Sequence, residues 1–383
     1  MEPIWGRAGS LKHLVLQPTS FCNISCDYCY LRDRHIAEVM SERVIEAVVR
    51  EVFSSPLLAD EFDILFHAGE PLAAGIEWFK WALTKFESTL PLGKSVTYRL
   101  QTNGTLISQA WIDLFTNFSV RISISLDGPR EINDQNRKRR NGSGVYDEIS
   151  RGIDLLKTGG IPFSVISVLT RSSLKHPENL FDYFLKLGLV ELCFNIEEIE
   201  GIHDKSSIAS NAALDECRAF FHTFWNLLEG AGNPFDVREF RQTGELLLHR
   251  LKGASISNSL VTPFHYLTIS AKGEVATFSP EMLNLSHKTF GNFSIGNILN
   301  QSLDKLGSSG RLEGIAEEVS AGVENCRGSC EYFEFCKGGS PSNKMAELGD
   351  LKGTETWWCK TSVQLLLDIA LSRLSTLPTH EIP

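Results

Sequence analysis

Three cysteines stand close together near the start of the chain, in Cys22-Asn-Ile-Ser-Cys26-Asp-Tyr-Cys29, just after an apolar run. Thiolates at that spacing can grip a metal cluster from one loop. An iron–sulfur cluster normally takes four cysteines, so a trio leaves one iron open to a ligand that is not protein. The competing reading is a zinc knuckle, which needs a fourth Cys or His nearby, and His35 could serve. A second group, Cys326-x3-Cys330-x5-Cys336-x22-Cys359, supplies four ligands and so a closed site, either a structural zinc or a second cluster.

Nine cysteines grouped in this way point to metal in a reducing compartment rather than to a disulfide framework. Cys193, in the apolar run 190–196, and Cys217, in a helical pattern, read as small buried residues. The first residues, Met-Glu-Pro-Ile-Trp, lack a basic region followed by an apolar segment, and no run of about 18 apolar residues occurs that could span a bilayer. The expectation is a cytoplasmic protein without membrane contact. A net charge of −10 argues against nucleic acid as a partner. The one basic run, Arg137–Arg140, reads as a solvated loop. With 383 residues, 42% of them hydrophobic, the chain can bury a large α/β unit and a smaller appended one.

These groups must be positioned by a framework, and the sequence supplies an alternating one. Short runs rich in Val, Ile, Leu and Phe at 13–18, 62–67, 96–102, 120–126, 162–169 and 190–196 read as strands. Amphipathic stretches at 41–54, 74–90, 108–117, 145–158 and 177–187 read as helices between them, which is the pattern of a parallel sheet. Asp134–Gly144 reads as a polar loop. Beyond 196 the alternation stops. Two helices are expected over 211–252, a hairpin over 265–279 turning at Lys272-Gly273, and a last helix over 360–375. The expected divisions are 1–200, 201–262 as a helical bridge, and 263–383.

The trio thus falls in the loop after the first strand, at the carboxyl end of the sheet, where such sheets place their sites. There the chain resembles the radical S-adenosylmethionine (radical SAM) superfamily, whose hallmark is a CxxxCxxC loop in this position. The resemblance implies a partial (β/α)6 barrel, with a 4Fe-4S cluster on Cys22, Cys26 and Cys29 and SAM at the open iron. His67-Ala68-Gly69-Glu70-Pro71-Leu72 is similar to the family's GGEP loop, with Ala68 in place of the first glycine, which implies that Ala68, Gly69, Glu70 and Pro71 bind the methionine amino end. Gln101-Thr-Asn103-Gly-Thr105 and Ile122–Pro129 resemble segments that approach the sulfonium, ribose and carboxylate. Asn103, Ser123, Ser125 and, between two of the cysteines, Tyr28 are the implied contacts. Arg137 follows Asp127 at the spacing of an arginine that meets the methionine carboxylate, and Val168 and Leu169 would line the adenine. Read alone, Gly-Glu-Pro is a turn, the serines are strand-end residues and Arg137 belongs to a basic loop.

The C-terminal foursome is similar to the distal auxiliary-cluster ligands of peptide maturases carrying a SPASM domain. In that pattern further cysteines stand near Phe278 and at the position of Ser340. Their absence here implies one auxiliary 4Fe-4S cluster in an abbreviated SPASM-like domain. Thr277–Glu281, Gly338–Lys344 and Thr354-Glu-Thr356 resemble the GrrM/OscB type, which matures glycine-rich repeat peptides. The implied partners are a ribosomally made precursor peptide of that kind and a reductant such as flavodoxin or ferredoxin. The implied reaction takes a hydrogen from a side-chain Cβ and joins that carbon to an aromatic ring as a three-residue cyclophane. Loss of an electron and a proton restores aromaticity; the auxiliary cluster is the implied electron acceptor and Glu281 the candidate base, although a surface carboxylate would look the same. Ser279 stands where sulfatase-maturing relatives carry a catalytic Asp. Anaerobic sulfatase maturation and a non-catalytic, metal-stabilised scaffold are the alternatives. Only 21 residues precede Cys22, and no peptide-docking domain is legible there.

Overall fold

The strand Phe163–Leu169 alternates buried and half-buried positions along its whole length, because successive side chains of an extended chain point to opposite faces. One face packs into the apolar core and the other turns inward, where polar residues gather. In the computed structural model, which describes residues 10–376, six strands lie side by side in chain order and all parallel: β1 (Leu11–Leu16), β2 (Leu58–Phe66), β3 (Ser95–Thr102), β4 (Arg121–Ser125), β5 (Phe163–Leu169) and β6 (Glu191–Ile196). These are the six expected strands with shifted ends. The reading of Met1–Trp5 lies outside the described residues.

Parallel neighbours require crossovers, and helices supply them: α1 (Glu42–Val52), α2 (Ile76–Thr89), α3 (Gln109–Asn117), α4 (Arg130–Asn136), α5 (Tyr146–Thr158) and α6 (Pro177–Leu187). In α1 the residues Val44, Ile45, Val48 and Val52 recur at helical spacing and are buried. The α6 helix opens with Pro177 at its first position and stops at Gly188 in the left-handed conformation. The expected loop Asp134–Gly144 is corrected at its start: Pro129 presets a first turn, and α4 runs on to Asn136. Seven residues are too few to show an amphipathic period.

The sheet does not end at β6. On that edge it gains β7 (Asp236–Val237), between α7 (Asn211–Gly230) and α8 (Arg238–Leu251). On the other edge β8 (Tyr266–Ile269) pairs in parallel with β1, and β9 (Glu274–Thr277) folds back on β8 through a turn at Gly273, whose φ is +82°. A two-residue strand, Gly296–Asn297, makes the tenth. The sheet takes strands from each of the three expected divisions, and one apolar cluster runs from Leu11 to Ile369. Among the described residues no helix is long and apolar enough to cross a membrane.

Candidate active site

The cysteine loop leaves β1 and is pinned from two sides. Backbone bonds tie Ser25 to Lys138, Asp27 to Asn136, and Cys22 to Arg34. Arg34 donates to the Cys26 carbonyl at 2.8 Å, and Arg140 donates to the Cys22 and Arg34 carbonyls at 3.1 Å each. The basic run is solvated only in part: Arg137 is buried, Arg139 is half-buried and pairs with Glu148, and Arg140, though exposed, is held on the Cys22 and Arg34 carbonyls. Burial pushes the Cys22 and Cys26 thiols up to about 12, with Arg137 partly opposing it at Cys26. Such sulfurs become thiolates when a metal supplies the positive charge. His35 is exposed, and among the described residues no three His, Cys, Asp or Glu side chains are grouped to clasp a single metal ion.

The turn after β2 meets the same loop. Ala68 and Gly69 both have positive φ, +70° and +58°, a conformation that costs a residue with a Cβ roughly 1 kcal/mol. At Gly69 a Cβ would lie 2.6 Å from the carbonyl oxygens of Thr19 and Phe21. Backbone cannot yield as a side-chain tip can, so Gly69→Ala is expected to push the cysteine loop away and destabilise the fold by more than about 2 kcal/mol, read by denaturant unfolding.

Glu70 is wholly buried and accepts three hydrogen bonds, from Leu72 N, Thr102 Oγ1 and Asn103 N. A carboxylate has about four lone-pair sites, so one stays open for a further donor such as an ammonium. Burial raises Glu70 to about 7 against the pull of those bonds. Folding thus favours the protonated form: with no cation beside it the group costs nothing below about pH 4.5, and stability falls by about 3 kcal/mol as the pH rises to about 7. Between about pH 4.5 and about pH 8 the wild type is expected to lose about 3 kcal/mol more stability than Glu70→Gln, read by denaturant unfolding.

Asp127, after β4, is the second anchor. Its Oδ1 accepts from Arg137 Nη2 at 2.9 Å and Val168 N at 3.0 Å, and its Oδ2 from the Tyr28 hydroxyl at 2.5 Å. Arg137 Nη1 comes within 4.0 Å of Cys26 Sγ, and its Nε is buried with no partner among the described residues. An orphaned guanidinium donor beside the cluster loop fits an anionic ligand group. Removing one member of such a pair strands the other's charge, so Arg137→Met is expected to cost about 3–5 kcal/mol of stability, read by denaturant unfolding.

The other implied contacts divide. Ser123 and Ser125 share the inner face of β4, opposite the buried Ile122 and Ile124. Val168 lies on the inner face of β5, whereas Leu169 is on the other side, fully buried in the apolar core. Asn103 is committed within the protein: Oδ1 accepts from Thr105, and Nδ2 donates to Asn23 at 2.9 Å and approaches Cys22 Sγ at 3.7 Å. It ties the cysteine loop to β3.

Glu281 is half-buried and acts electrostatically on Tyr30, His67, Glu198, Glu200 and Tyr266. Burial first, then Glu281, raises Glu198 to about 7 and Glu200 well above the carboxylate range. The hydroxyls of Tyr30 and Ser279, His67 Nδ1 and Glu200 Oε1 are buried without a hydrogen-bond partner among the described residues. Sequence reasoning passed over Glu198 and Glu200, yet Glu197-Glu198-Ile-Glu200 directly after β6, at a carboxyl end of the sheet, was a readable signal.

The second cysteine group comes together at the end of the helix Gly310–Ser329. Cys326, Cys330, Cys336 and Cys359 line one small cavity. Lys337, Gly338 and Gly339 all have positive φ and hook the chain around it, while Asn258 Nδ2 donates to the Cys336 and Gly339 carbonyls at 3.0 and 2.7 Å. Thr356 Oγ1 donates to Cys359 Sγ at 3.2 Å. Burial raises Cys359 to about 11, so these sulfurs too suit a metal centre. Phe278 and Ser340, where the wider pattern carries cysteines, are buried, and the Ser340 hydroxyl caps a helix.

Six parallel strands with a clamped three-cysteine loop after the first of them are the setting of a radical SAM site, and the chain belongs to the radical SAM superfamily, which residues 16–184 match. It is 37% identical over 375 residues, 96% of this chain and 92% of the other, to the uncharacterized protein sll1766 of Synechocystis sp. (strain ATCC 27184 / PCC 6803 / Kazusa). To the serine-type anaerobic sulfatase-maturating enzyme of Bacteroides thetaiotaomicron it is 22% identical over 94% of this chain and 89% of that one. Its fold is similar to that of native anSMEcpe with bound AdoMet and Cp18Cys peptide, with a TM-score of 0.75 at 23% identity, covering 95% of this chain and 97% of that one. The enzyme's cofactors are SAM and a 4Fe-4S cluster.

Proposed function

We propose that this enzyme cross-links a ribosomally made precursor peptide of the glycine-rich repeat type, joining a side-chain Cβ to a nearby aromatic ring as a three-residue cyclophane. Cys22, Cys26 and Cys29 would hold the radical SAM cluster. Glu70, Arg137, Ser123, Ser125 and Val168 would hold SAM, while Cys326, Cys330, Cys336 and Cys359 would hold the auxiliary cluster. When bound, these groups supply a 5′-deoxyadenosyl radical, which removes a hydrogen atom from the peptide, and a one-electron acceptor.

The chain's own residues do the rest. Asn103, Arg34 and Arg140 fix the cysteine loop, and Gly69 packs tightly against it. Closing a carbon–carbon bond to an aromatic ring leaves one electron and one proton to be removed. The observation that carries this reading is the carboxylate group of Glu198, Glu200 and Glu281, Glu200 buried and the other two half-buried, which can take that proton. A carboxylate tuned to about 7 is a serviceable general base at neutral pH.

Formylglycine formation is the second reading, favoured by the likeness to the Bacteroides enzyme. Against it stands Ser279, whose hydroxyl is no base at neutral pH. Co-expression with a glycine-rich precursor in a reducing cytoplasm, with flavodoxin or ferredoxin as reductant, separates the two. Cyclophane closure removes two hydrogens and suppresses fragmentation between the joined residues, whereas formylglycine reacts with a hydrazide probe. A hydrazide-positive peptide that fragments fully would overturn the cyclophane reading.

A further inference from the structure

The helix Pro341–Leu348, capped by Ser340, brings Lys344 against the auxiliary cavity. The lysine is only 2% exposed. Its Nζ donates to the Gly322 carbonyl at 3.0 Å and to Cys326 Sγ at 3.2 Å, and among the described residues no ion pair involves it. Room for the ammonium comes from Gly322, where a Cβ would lie 3.2 Å from Nζ and 2.2 Å from the Leu351 carbonyl oxygen. A buried ammonium with no counter-charge costs several kcal/mol. The sulfur of Cys326, as a metal-bound thiolate, is the negative group that would offset it.

Net charge and hydrogen bonds to the sulfurs set the potential of an iron–sulfur cluster. Reduction makes the cluster more negative, so a fixed positive charge stabilises the reduced form more than the oxidised one. Low dielectric strengthens the effect. We propose that Lys344 tunes the auxiliary site: its ammonium, held on the Cys326 sulfur, raises the reduction potential of the cluster there and so favours electron acceptance. The proposal rests on the reading that Cys326, Cys330, Cys336 and Cys359 hold a 4Fe-4S cluster.

The test is an EPR-monitored redox titration of the full chain with Cys22, Cys26 and Cys29 replaced by alanine, which isolates the auxiliary signal. If no 4Fe-4S signal is seen without Lys344 being touched, the cluster reading fails and takes this proposal with it. Given the signal, Lys344→Met and Lys344→Gln are expected to shift the potential to more negative values, Gln included because it keeps an N–H donor but loses the charge. Lys344→Arg is expected to restore most of the shift. An unchanged potential in the Met and Gln variants would overturn the tuning role while leaving the cluster intact. Should those variants lose the cluster, pulsed EPR on protein with ¹⁵N-labelled lysine decides without any change at Lys344. A nitrogen coupling at the reduced auxiliary cluster is expected, and its absence would overturn the proposal.

Discussion

Replacing Cys22, Cys26 and Cys29 together with alanine is expected to abolish reductive cleavage of SAM and to lower the iron of the anaerobically reconstituted protein from about eight atoms per chain to about four. The expected halving follows from geometry. The trio sits in a loop held by β1, the Gly69 turn and the 136–140 segment, while the foursome lines a separate cavity closed by the helix Gly310–Ser329 and the Lys337–Gly339 hook. The variant should stay folded, because the Arg34, Arg140 and backbone bonds that shape the loop end on carbonyls rather than on sulfur. Iron assay, SAM turnover with dithionite and circular dichroism read the three consequences. Retained SAM cleavage, or loss of all iron, would contradict the assignment of two independent centres.

Glu281→Gln is expected to slow cross-link formation by roughly 10²- to 10⁴-fold while leaving SAM cleavage in place, since general-base catalysis contributes about that factor. The two activities separate because Glu281 acts on Glu198, Glu200, His67 and Tyr30, whereas Arg34 and Arg140 hold the cysteine loop through its carbonyls. A base must be deprotonated to work. With Glu198, a second carboxylate of the group that can take the proton, raised to about 7, its share of the cross-linking rate is expected to climb as the pH rises through about 7. Stopped-time assays of 5′-deoxyadenosine and of cross-linked peptide across that range check both statements. Parallel loss of the two products in Glu281→Gln would show that the residue does not act at the proton step.

The strands were legible because each is a short run rich in Val, Ile, Leu and Phe between amphipathic stretches, and the motifs at their carboxyl ends followed. What was not legible depended on contacts between distant segments. Arg137–Arg140 looks like a solvated charge run until Asp127, Glu148 and the cysteine-loop carbonyls are brought to it. Leu169 and Val168 are indistinguishable as residue types, and only the pleat sends them to opposite faces. Glu281 reads as a surface carboxylate because Glu198 and Glu200 lie some 80 positions away in sequence. Lys344 carries no signal of its own, since a lysine in a helix is ordinarily a solvated face.

The most direct measurement follows the hydrogen. A precursor peptide deuterated only at the Cβ of the residue to be joined is incubated with reconstituted enzyme, SAM and reductant, and the 5′-deoxyadenosine is analysed by mass spectrometry. One deuterium transferred into 5′-deoxyadenosine, in step with loss of two hydrogens from the peptide, is the expected result. Unlabelled 5′-deoxyadenosine accompanying a modified peptide would contradict abstraction at Cβ.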